Sequence, residues 1–189
     1  MGAEKVIRWW PPFALLAMLV LGWAVGPGST RLDDWFLTRN GPAAWLLTAT
    51  DPVLLVAVTL AAAGVAAARR RWPLAVLVVV APLVAIAASR LLKEAFARRL
   101  DEGLAYPSGH ATAVVVVTGM AVLVSGGRWW AVALAAAMSA AGMVGLGLTY
   151  HYFTDTVGGL LLGTAVVGVA AQVARWVPAT ARAPVADPI

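Results

Sequence analysis

The chain has 189 residues, of which 61% are hydrophobic and 12% are charged, and its mean hydropathy is +0.84. Soluble domains are about 45–50% apolar and about 25% charged, so this composition excludes an ordinary soluble domain and indicates an integral membrane protein. The net charge is +5, but the basic residues are scattered over loop ends, which favours a role in membrane topology over a nucleic-acid footprint. Cysteine is absent, which excludes disulfides and thiolate metal sites.

Six apolar stretches follow one another along the chain, and each is long enough to cross about 30 Å of hydrocarbon. The first is interpreted as a retained span, because Pro27 disfavours cleavage as a signal peptide. The second is long enough to tilt or to begin irregularly around Thr50-Asp51-Pro52, and the third can extend as a helix toward Arg99, since no helix breaker intervenes. The six stretches are residues 10–26, 43–68, 73–92, 108–125, 129–149 and 156–177.

This pattern predicts an all-α integral membrane protein, a six-transmembrane-helix bundle that forms one domain over residues 1–189. Its last residues, 179–189, are rich in Ala and Pro and are predicted to be an irregular tail. With the N-terminus inside, eight of the fourteen basic residues lie in cytoplasmic segments. Four of the other six form one cluster that is treated below as a site, and excluding it leaves eight against two. We therefore predict a multi-pass protein of the cell membrane with both termini cytoplasmic.

Ionisable residues at membrane depth are costly and indicate function by default. Three clusters qualify, and the connections between the spans place all three on the extracytoplasmic side. They are "SRLLKEAFARRLDE" with Arg90, Lys93, Arg98 and Arg99, "YPSGH" with Ser108, Gly109 and His110, and "LTYHYFTD" with His151 and Asp155.

The stretch "YPSGH" stands directly before an apolar helix. Ser108 is a good N-cap, and a helix start offers unpaired N–H groups and the positive end of the helix dipole to an anion. Gly109 allows an oxygen ligand to approach the backbone closely, and His110 lies in the first turn. The alternative is a simple N-cap with an interfacial histidine.

His151 and Asp155 are four residues apart, so they share a face on a helix or a helical turn. An aspartate that accepts from one ring nitrogen fixes the histidine tautomer and leaves the other nitrogen free to attack. The alternative is an interfacial histidine with Asp155 capping the sixth span. The basic cluster likewise fits either a phosphate site or snorkelling residues at the end of a span. Together, the three clusters indicate phosphoryl transfer from a membrane-embedded phosphate ester.

The order of these motifs resembles the type-2 phosphatidic acid phosphatase superfamily, whose signatures are K-x6-R-P, P-S-G-H and S-R-x5-H-x3-D. The resemblance covers residues 90–160 in motif terms, and the second signature is complete. It implies that His151 is the nucleophile that forms a phosphohistidine, that Asp155 orients it, and that His110 is the general acid. It also implies a metal-independent reaction without a cofactor. The residues implied to hold the phosphate are Lys93, Arg98 or Arg99, Ser108 and Gly109.

Two departures from these signatures concern the phosphate-binding arginines. The Ser-Arg positions of the third signature are occupied by Val144 and Gly145. In the first signature, the arginine position falls on Leu100 and is followed by Asp101 rather than proline. The sequence leaves open whether Arg98, Arg99 or Arg90 fills the gap.

The prediction is a membrane phosphatase that acts on a lipid phosphate monoester or diphosphate, of the polyprenyl phosphate, polyprenyl diphosphate or phosphatidic acid class. Its partners are the lipid bilayer and the lipid-phosphate substrate, without nucleic acid, and its oligomeric state stays open. The alternative is a non-catalytic or weakly catalytic lipid-phosphate binder or transporter on the same fold. A divalent-metal site at Asp33, Asp34 and Asp51 is a weaker possibility, because the family's chemistry requires no metal.

Overall fold

The computed structural model describes residues 3–39 and 44–176, which form seven α-helices, one 3₁₀ helix and a two-stranded antiparallel sheet. The predicted tail at 179–189 lies outside the described residues, as do residue 43 of the second predicted stretch and residue 177 of the sixth. In chain order the elements are α1 (Ala3–Val25), α2 (Arg31–Leu37), the 3₁₀ helix (Ala44–Thr50), α3 (Pro52–Ala68), α4 (Trp72–Phe96), β1 (Arg99–Leu100), β2 (Gly103–Leu104), α5 (Gly109–Ser125), α6 (Trp129–Thr149) and α7 (Phe153–Trp176).

Four of these helices, α1, α4, α6 and α7, are long and apolar enough to cross a membrane, so the described part of the chain is that of a multi-pass membrane protein. Helices α3 and α5 are equally apolar but have 17 residues each. At 1.5 Å per residue they are about 25 Å long, at the lower limit for spanning the hydrocarbon core. The count of six spans therefore stays a prediction.

Helix α5 is the centre of the bundle. Nine of its 17 residues are buried, and it packs against α3, α4, α6 and α7. The outer helices instead expose large apolar side chains, which a protein in water rarely does over so wide an area. Lipid is the solvent that this surface fits. Examples of these exposed side chains are Trp23, Val53, Leu60, Val76, Leu83 and Leu134.

Glycines on α7 bring it very close to α5. A Cβ at Gly159 would lie 2.6 Å from the carbonyl oxygen of Ser108, and a Cβ at Gly163 would lie 2.8 Å from Cβ of Val115. Real Cβ atoms do not approach so closely, so only glycine allows this packing. The first turns of α5 and α7 consequently lie side by side, which fixes the position of the candidate site.

The connection between α4 and α5 agrees with the sequence-based expectation only in part. Helix α4 extends past residue 92 but ends at Phe96, because Ala97 adopts a left-handed conformation with φ of 50°. The chain then forms the β1–β2 hairpin instead of continuing as a helix toward Arg99. This change of direction separates Arg98 and Arg99, which a continuing helix would have placed on neighbouring faces.

Candidate active site

The candidate site lies where the C-terminal end of α4, the start of α5 and the turn between α6 and α7 meet. The N–H of Ser108 donates a hydrogen bond to the carbonyl oxygen of Asp155 at 2.9 Å, which joins the starts of α5 and α7 directly. Tyr106, two residues before Ser108, is fully buried, and its ring packs between Gly22 of α1 and Gly158 of α7. The "YPSGH" segment is therefore held between the first and last helices.

His151 and Asp155 face each other across the α6–α7 turn. Asp155 is fully buried in the first turn of α7, and His151 is 8% exposed. Nδ1 of His151 lies 3.8 Å from Oδ2 of Asp155, and neither of these two buried atoms has a hydrogen-bond partner. The separation exceeds a hydrogen bond of about 2.7–3.2 Å. The hydrogen bond that the sequence predicts is therefore not formed in this structure, although the two atoms lie near each other.

His110 lies opposite this pair in the first turn of α5. The ring centroids of His110 and His151 are 6.3 Å apart, and the ring of Tyr150 lies 6.1 Å from that of His110. His110 is exposed and lines the adjacent cavity, whereas the neighbouring His151 is nearly buried. The structure thus brings together all three residues that the sequence predicts to be catalytic.

Ser108 has the N-cap geometry that the sequence predicts. It is fully buried in an extended conformation, and its hydroxyl accepts from the N–H of Ala111 at 3.4 Å. The first N–H groups of a helix have no acceptor within the helix. Gly109 and His110 provide such N–H groups at the start of α5, and both residues line the adjacent cavity. Ser108 shapes this helix start, while its own N–H is bonded to Asp155.

Arg98 is a buried structural ion and not a phosphate ligand. Its Nη1 group donates to Asp155 Oδ1 at 2.6 Å and to the Thr154 hydroxyl at 2.7 Å. Its Nη2 group donates to Asp33 Oδ2 at 2.9 Å and to the carbonyl oxygen of Gly28, which also accepts from Nε. A guanidinium has five N–H donors, and these contacts occupy all five. The prediction that Arg98 binds substrate is corrected accordingly.

Asp33 completes this network, whereas the sequence offered it only a weaker possibility, a place in a divalent-metal site. Its Oδ1 atom accepts from the N–H and the hydroxyl of Thr154 at 2.9 and 3.0 Å, and its Oδ2 atom accepts from Arg98 and from Thr30. Burial alone raises the pKa of Asp33, but the hydrogen bonds from Thr154 and Thr30 outweigh it and lower the pKa below its usual value. With both oxygens occupied in this way, Asp33 does not fit the weaker metal-site alternative.

A sequence signal for Asp33 does exist. Thr30 and Asp33 form a capping box at the start of α2, the pattern in which a threonine and an acidic residue three positions later bond each other's backbone N–H. That pattern predicts a short helix after the first span. It does not reveal that α2 lies against α6 and α7, which is what brings Asp33 to Arg98.

Gly145, at the position of the missing arginine, faces the 3₁₀ helix. A Cβ at this glycine would lie 2.9 Å from Cβ of Leu46 and 3.2 Å from its carbonyl carbon. The space that a longer side chain would need is therefore filled by backbone. Leu100 occupies the other arginine position, and it lies on β1 of the hairpin.

Two basic residues of α4 remain available to a ligand. Lys93 is in the last turn, where Nζ donates to the carbonyl oxygen of Leu104 at 2.7 Å and keeps two further donors. Arg90 lies three residues earlier, and its side chain is exposed. Both line the same cavity as Gly109 and His110. Arg99 is exposed on β1 and is absent from that lining, so its predicted contact with the phosphate is not supported.

This cavity has a volume of about 640 Å³ and lies between α3, α4 and α5. Polar residues border the end of the cavity nearest His110, here called its upper end, and apolar side chains line the rest. Val56, Leu60 and Leu83 at its rim are 58–63% exposed, so the cavity opens sideways on the outer surface of the bundle. A lipid could enter it from the bilayer without leaving the hydrocarbon.

Comparison with known proteins gives one informative result. No protein-family model and no curated protein matches the sequence. Among solved structures, the fold is similar to the crystal structure of a transmembrane PAP2-type phosphatidylglycerolphosphate phosphatase from Bacillus subtilis, with a TM-score of 0.72 and 17% identity. The match covers 87% of this chain and 96% of that one. At this identity the match shows the fold alone: the chain folds like that transmembrane phosphatase.

Proposed function

We propose that this protein is a membrane phosphatase that hydrolyses a lipid phosphate monoester or diphosphate, of the polyprenyl or phosphatidic acid class, through a phosphohistidine intermediate. The observation that carries the proposal is that the His151–Asp155 pair lies beside His110, which lines a laterally open apolar cavity. A binding site alone has no need of a nucleophile with an orienting carboxylate. The fold, shared with a solved phosphatase, is consistent with this chemistry.

In the first step, Nε2 of His151 attacks phosphorus in line with the leaving oxygen. The N–P bond forms as the P–O bond breaks, and His110 transfers its proton to the departing oxygen. Asp155 accepts a hydrogen bond from Nδ1–H of His151 and thereby stabilises the positive charge on the phosphorylated imidazole. Buried Arg98 holds the other oxygen of Asp155 in place.

In the second step, water attacks the phosphohistidine. His110, now neutral, accepts the proton of that water, so the new P–O bond forms while the N–P bond breaks. Inorganic phosphate leaves, His151 is neutral again, and His110 has recovered its proton. The donors available to the phosphoryl oxygens are the ammonium of Lys93 and the helix start at Gly109 and His110.

The small number of cations sets an expected limit on rate. In other enzymes, removing one donor to the transition state costs about 2.7–4 kcal/mol. Arg98 is fully occupied and position 145 is filled, so we expect slow turnover compared with enzymes that keep both arginines.

Phosphate release from polyprenyl phosphates, polyprenyl diphosphates and phosphatidic acid tests this proposal. We expect release from at least one of them by the wild type in lipid nanodiscs and a loss of about 10⁴-fold or more in His151→Ala. Arg128→Gln is the control, since Arg128 is exposed in the turn between α5 and α6, at the opposite end of these helices from the histidines. The absence of release from all three lipids, under conditions where a related enzyme works, contradicts the proposal.

A second candidate is a lipid-phosphate binder or transporter on the same fold. The observation in its favour is the pair of lost cations, because Gly145 is closed off by Leu46 and Arg98 is bonded to two carboxylates. Binding of a lipid phosphate that persists in His151→Ala, without turnover in the wild type, would support this candidate.

The orientation is also part of the proposal. The site lies at the ends of α4 and α6 and at the starts of α5 and α7, opposite the basic turns at 69–71 and 126–128. The positive-inside rule then places the site on the extracytoplasmic side. A compartment reporter fused to the C-terminus tests this, and an extracytoplasmic signal would invert the assignment.

A further inference from the structure

Arg90 has no role in the reaction described so far. It lies three residues before Lys93 on α4, on a neighbouring face and about 4.5 Å nearer the middle of the bundle at 1.5 Å rise per residue. Its exposed side chain lines the lateral cavity, together with apolar residues such as Leu83 and Ile86. Among the described residues, only Arg90, Lys93 and His110 bring basic side chains to this cavity.

An arginine in this place has an energetic cost. Charged side chains within membrane-spanning helices are unfavourable and are kept where they serve a ligand or an ion path. The alternative cations of the same segment are committed elsewhere, because Arg98 has no free donor and Arg99 lies outside the cavity. Arg90 is therefore the guanidinium that a lipid headgroup in this cavity would meet.

The order of the basic groups along α4 indicates which part of a headgroup each one meets. His110 and Lys93 are at the upper end, next to His151, where the reacting phosphate must be. Arg90 is on the side from which the hydrocarbon chain enters, and residues three apart on a helix have Cβ atoms about 5–6 Å apart. A group bound by Arg90 thus lies between the reacting phosphate and the chain.

We propose that Arg90 binds a second, inner phosphoryl group, and that the substrate class is a lipid with two phosphates in series rather than a lipid monophosphate. This inference rests on the proposed function. The terminal phosphate lies at Lys93, His110 and His151, the inner phosphate lies against Arg90, and the chain follows the cavity between α3 and α4. Arginine suits this task because its fork of donors matches phosphate oxygens in pairs.

The test compares a prenyl diphosphate with the prenyl monophosphate of the same chain in nanodiscs. We expect a higher kcat/KM for the diphosphate in the wild type. Arg90→Gln should lower that value by about 10- to 100-fold, mainly through KM, the loss expected for charge-assisted hydrogen bonds. The monophosphate value should change little, and Arg90→Lys should recover part of the loss.

The matched control is Arg31→Gln, which removes one exposed positive charge on α2, outside the cavity lining. It should leave both kcat/KM values near those of the wild type. Equal losses for both lipids in Arg90→Gln would show a general electrostatic effect, and no loss for either would show a snorkelling arginine. Each of these results overturns the inference while the proposed phosphatase function stands.

A binding measurement keeps the inference testable without turnover. His151→Ala protein should bind the diphosphate more tightly than the monophosphate, and adding Arg90→Gln should remove the difference. If the wild type hydrolyses neither these two lipids nor phosphatidic acid, the proposed function fails, and this comparison still decides the role of Arg90. Equal affinity for the two lipids in His151→Ala protein overturns it.

Discussion

The two sides of the candidate site differ in how their polar groups are used. Behind His151, the side chains of Arg98, Asp33 and Thr154 are buried and bonded to one another and to Asp155. In front of it, Arg90, Lys93 and His110 border a cavity with apolar walls and have donors to spare.

The comparison shows that the role of a basic residue cannot be predicted from its presence in the sequence alone. Arg90 and Arg98 come from one short basic segment, yet one is exposed in a cavity and the other is 1% exposed between two carboxylates. The side with Arg98, Asp33 and Thr154, here called the closed side, holds Asp155 in place. The side with the cavity, here called the open side, has room for a ligand.

The largest expected effect comes from breaking the closed side. Arg98→Leu leaves Asp33 and Asp155 as uncompensated buried charges, and removing one partner of a buried ion pair costs about 3–5 kcal/mol. The variant should therefore unfold at much lower temperature than the wild type in thermal unfolding followed by circular dichroism. Arg99→Leu, the exposed neighbour, should change stability by no more than about 0.5 kcal/mol. Similar losses in both variants would contradict the assignment of Arg98 as the buried frame.

A smaller effect is expected where the 3₁₀ helix closes over α6. Gly145→Ala places a Cβ against Leu46 and should destabilise the protein by about 1–3 kcal/mol, the usual cost of overpacking. Gly64→Ala is the matched control, because nothing lies within 4 Å of its Cβ position and alanine favours a helix more than glycine does. Gly145→Arg should likewise destabilise the fold and should not raise activity. A faster enzyme from that change would show that the space is open.

The smallest expected effect concerns how the stability of the protein depends on pH. The pKa of Asp33 is lower in the folded protein than its ordinary value of 3.8. The ionised carboxylate therefore stabilises the folded state at pH values above the pKa of the unfolded chain. This contribution is lost as the pH falls through the lower pKa of the folded protein. The stability advantage of the wild type over Asp33→Asn should therefore be full at pH 7 and should shrink below about pH 4. Asp34→Asn, an exposed neighbour on α2, serves as control and should change stability at pH 7 by no more than about 0.5 kcal/mol.

The sequence predicted the positions of Ser108, His151 and Asp155 better than the contacts of the residues that surround them. Ser108 as a cap follows from local spacing and is present in the structure. The spacing of His151 and Asp155 also predicts their proximity, although their nearest side-chain atoms are 3.8 Å apart and form no hydrogen bond. The role of Arg98 depends on Asp33, which is 65 residues away in a short polar helix that hydropathy does not mark. The closure at Gly145 depends equally on Leu46, which lies in the 3₁₀ helix before Thr50-Asp51-Pro52, where the sequence left an irregular start of the second stretch open.

The central claim is that His151 receives the phosphoryl group, and direct detection of phosphohistidine tests it. Wild-type protein would be mixed with a prenyl diphosphate, denatured in alkali, which preserves the N–P bond, and digested for mass spectrometry. We predict a phosphoryl group on the peptide that contains His151, and none on that peptide in His151→Ala or on the peptide that contains His110. Phosphate release by the wild type without a modified His151, or release that persists in His151→Ala, would contradict the account.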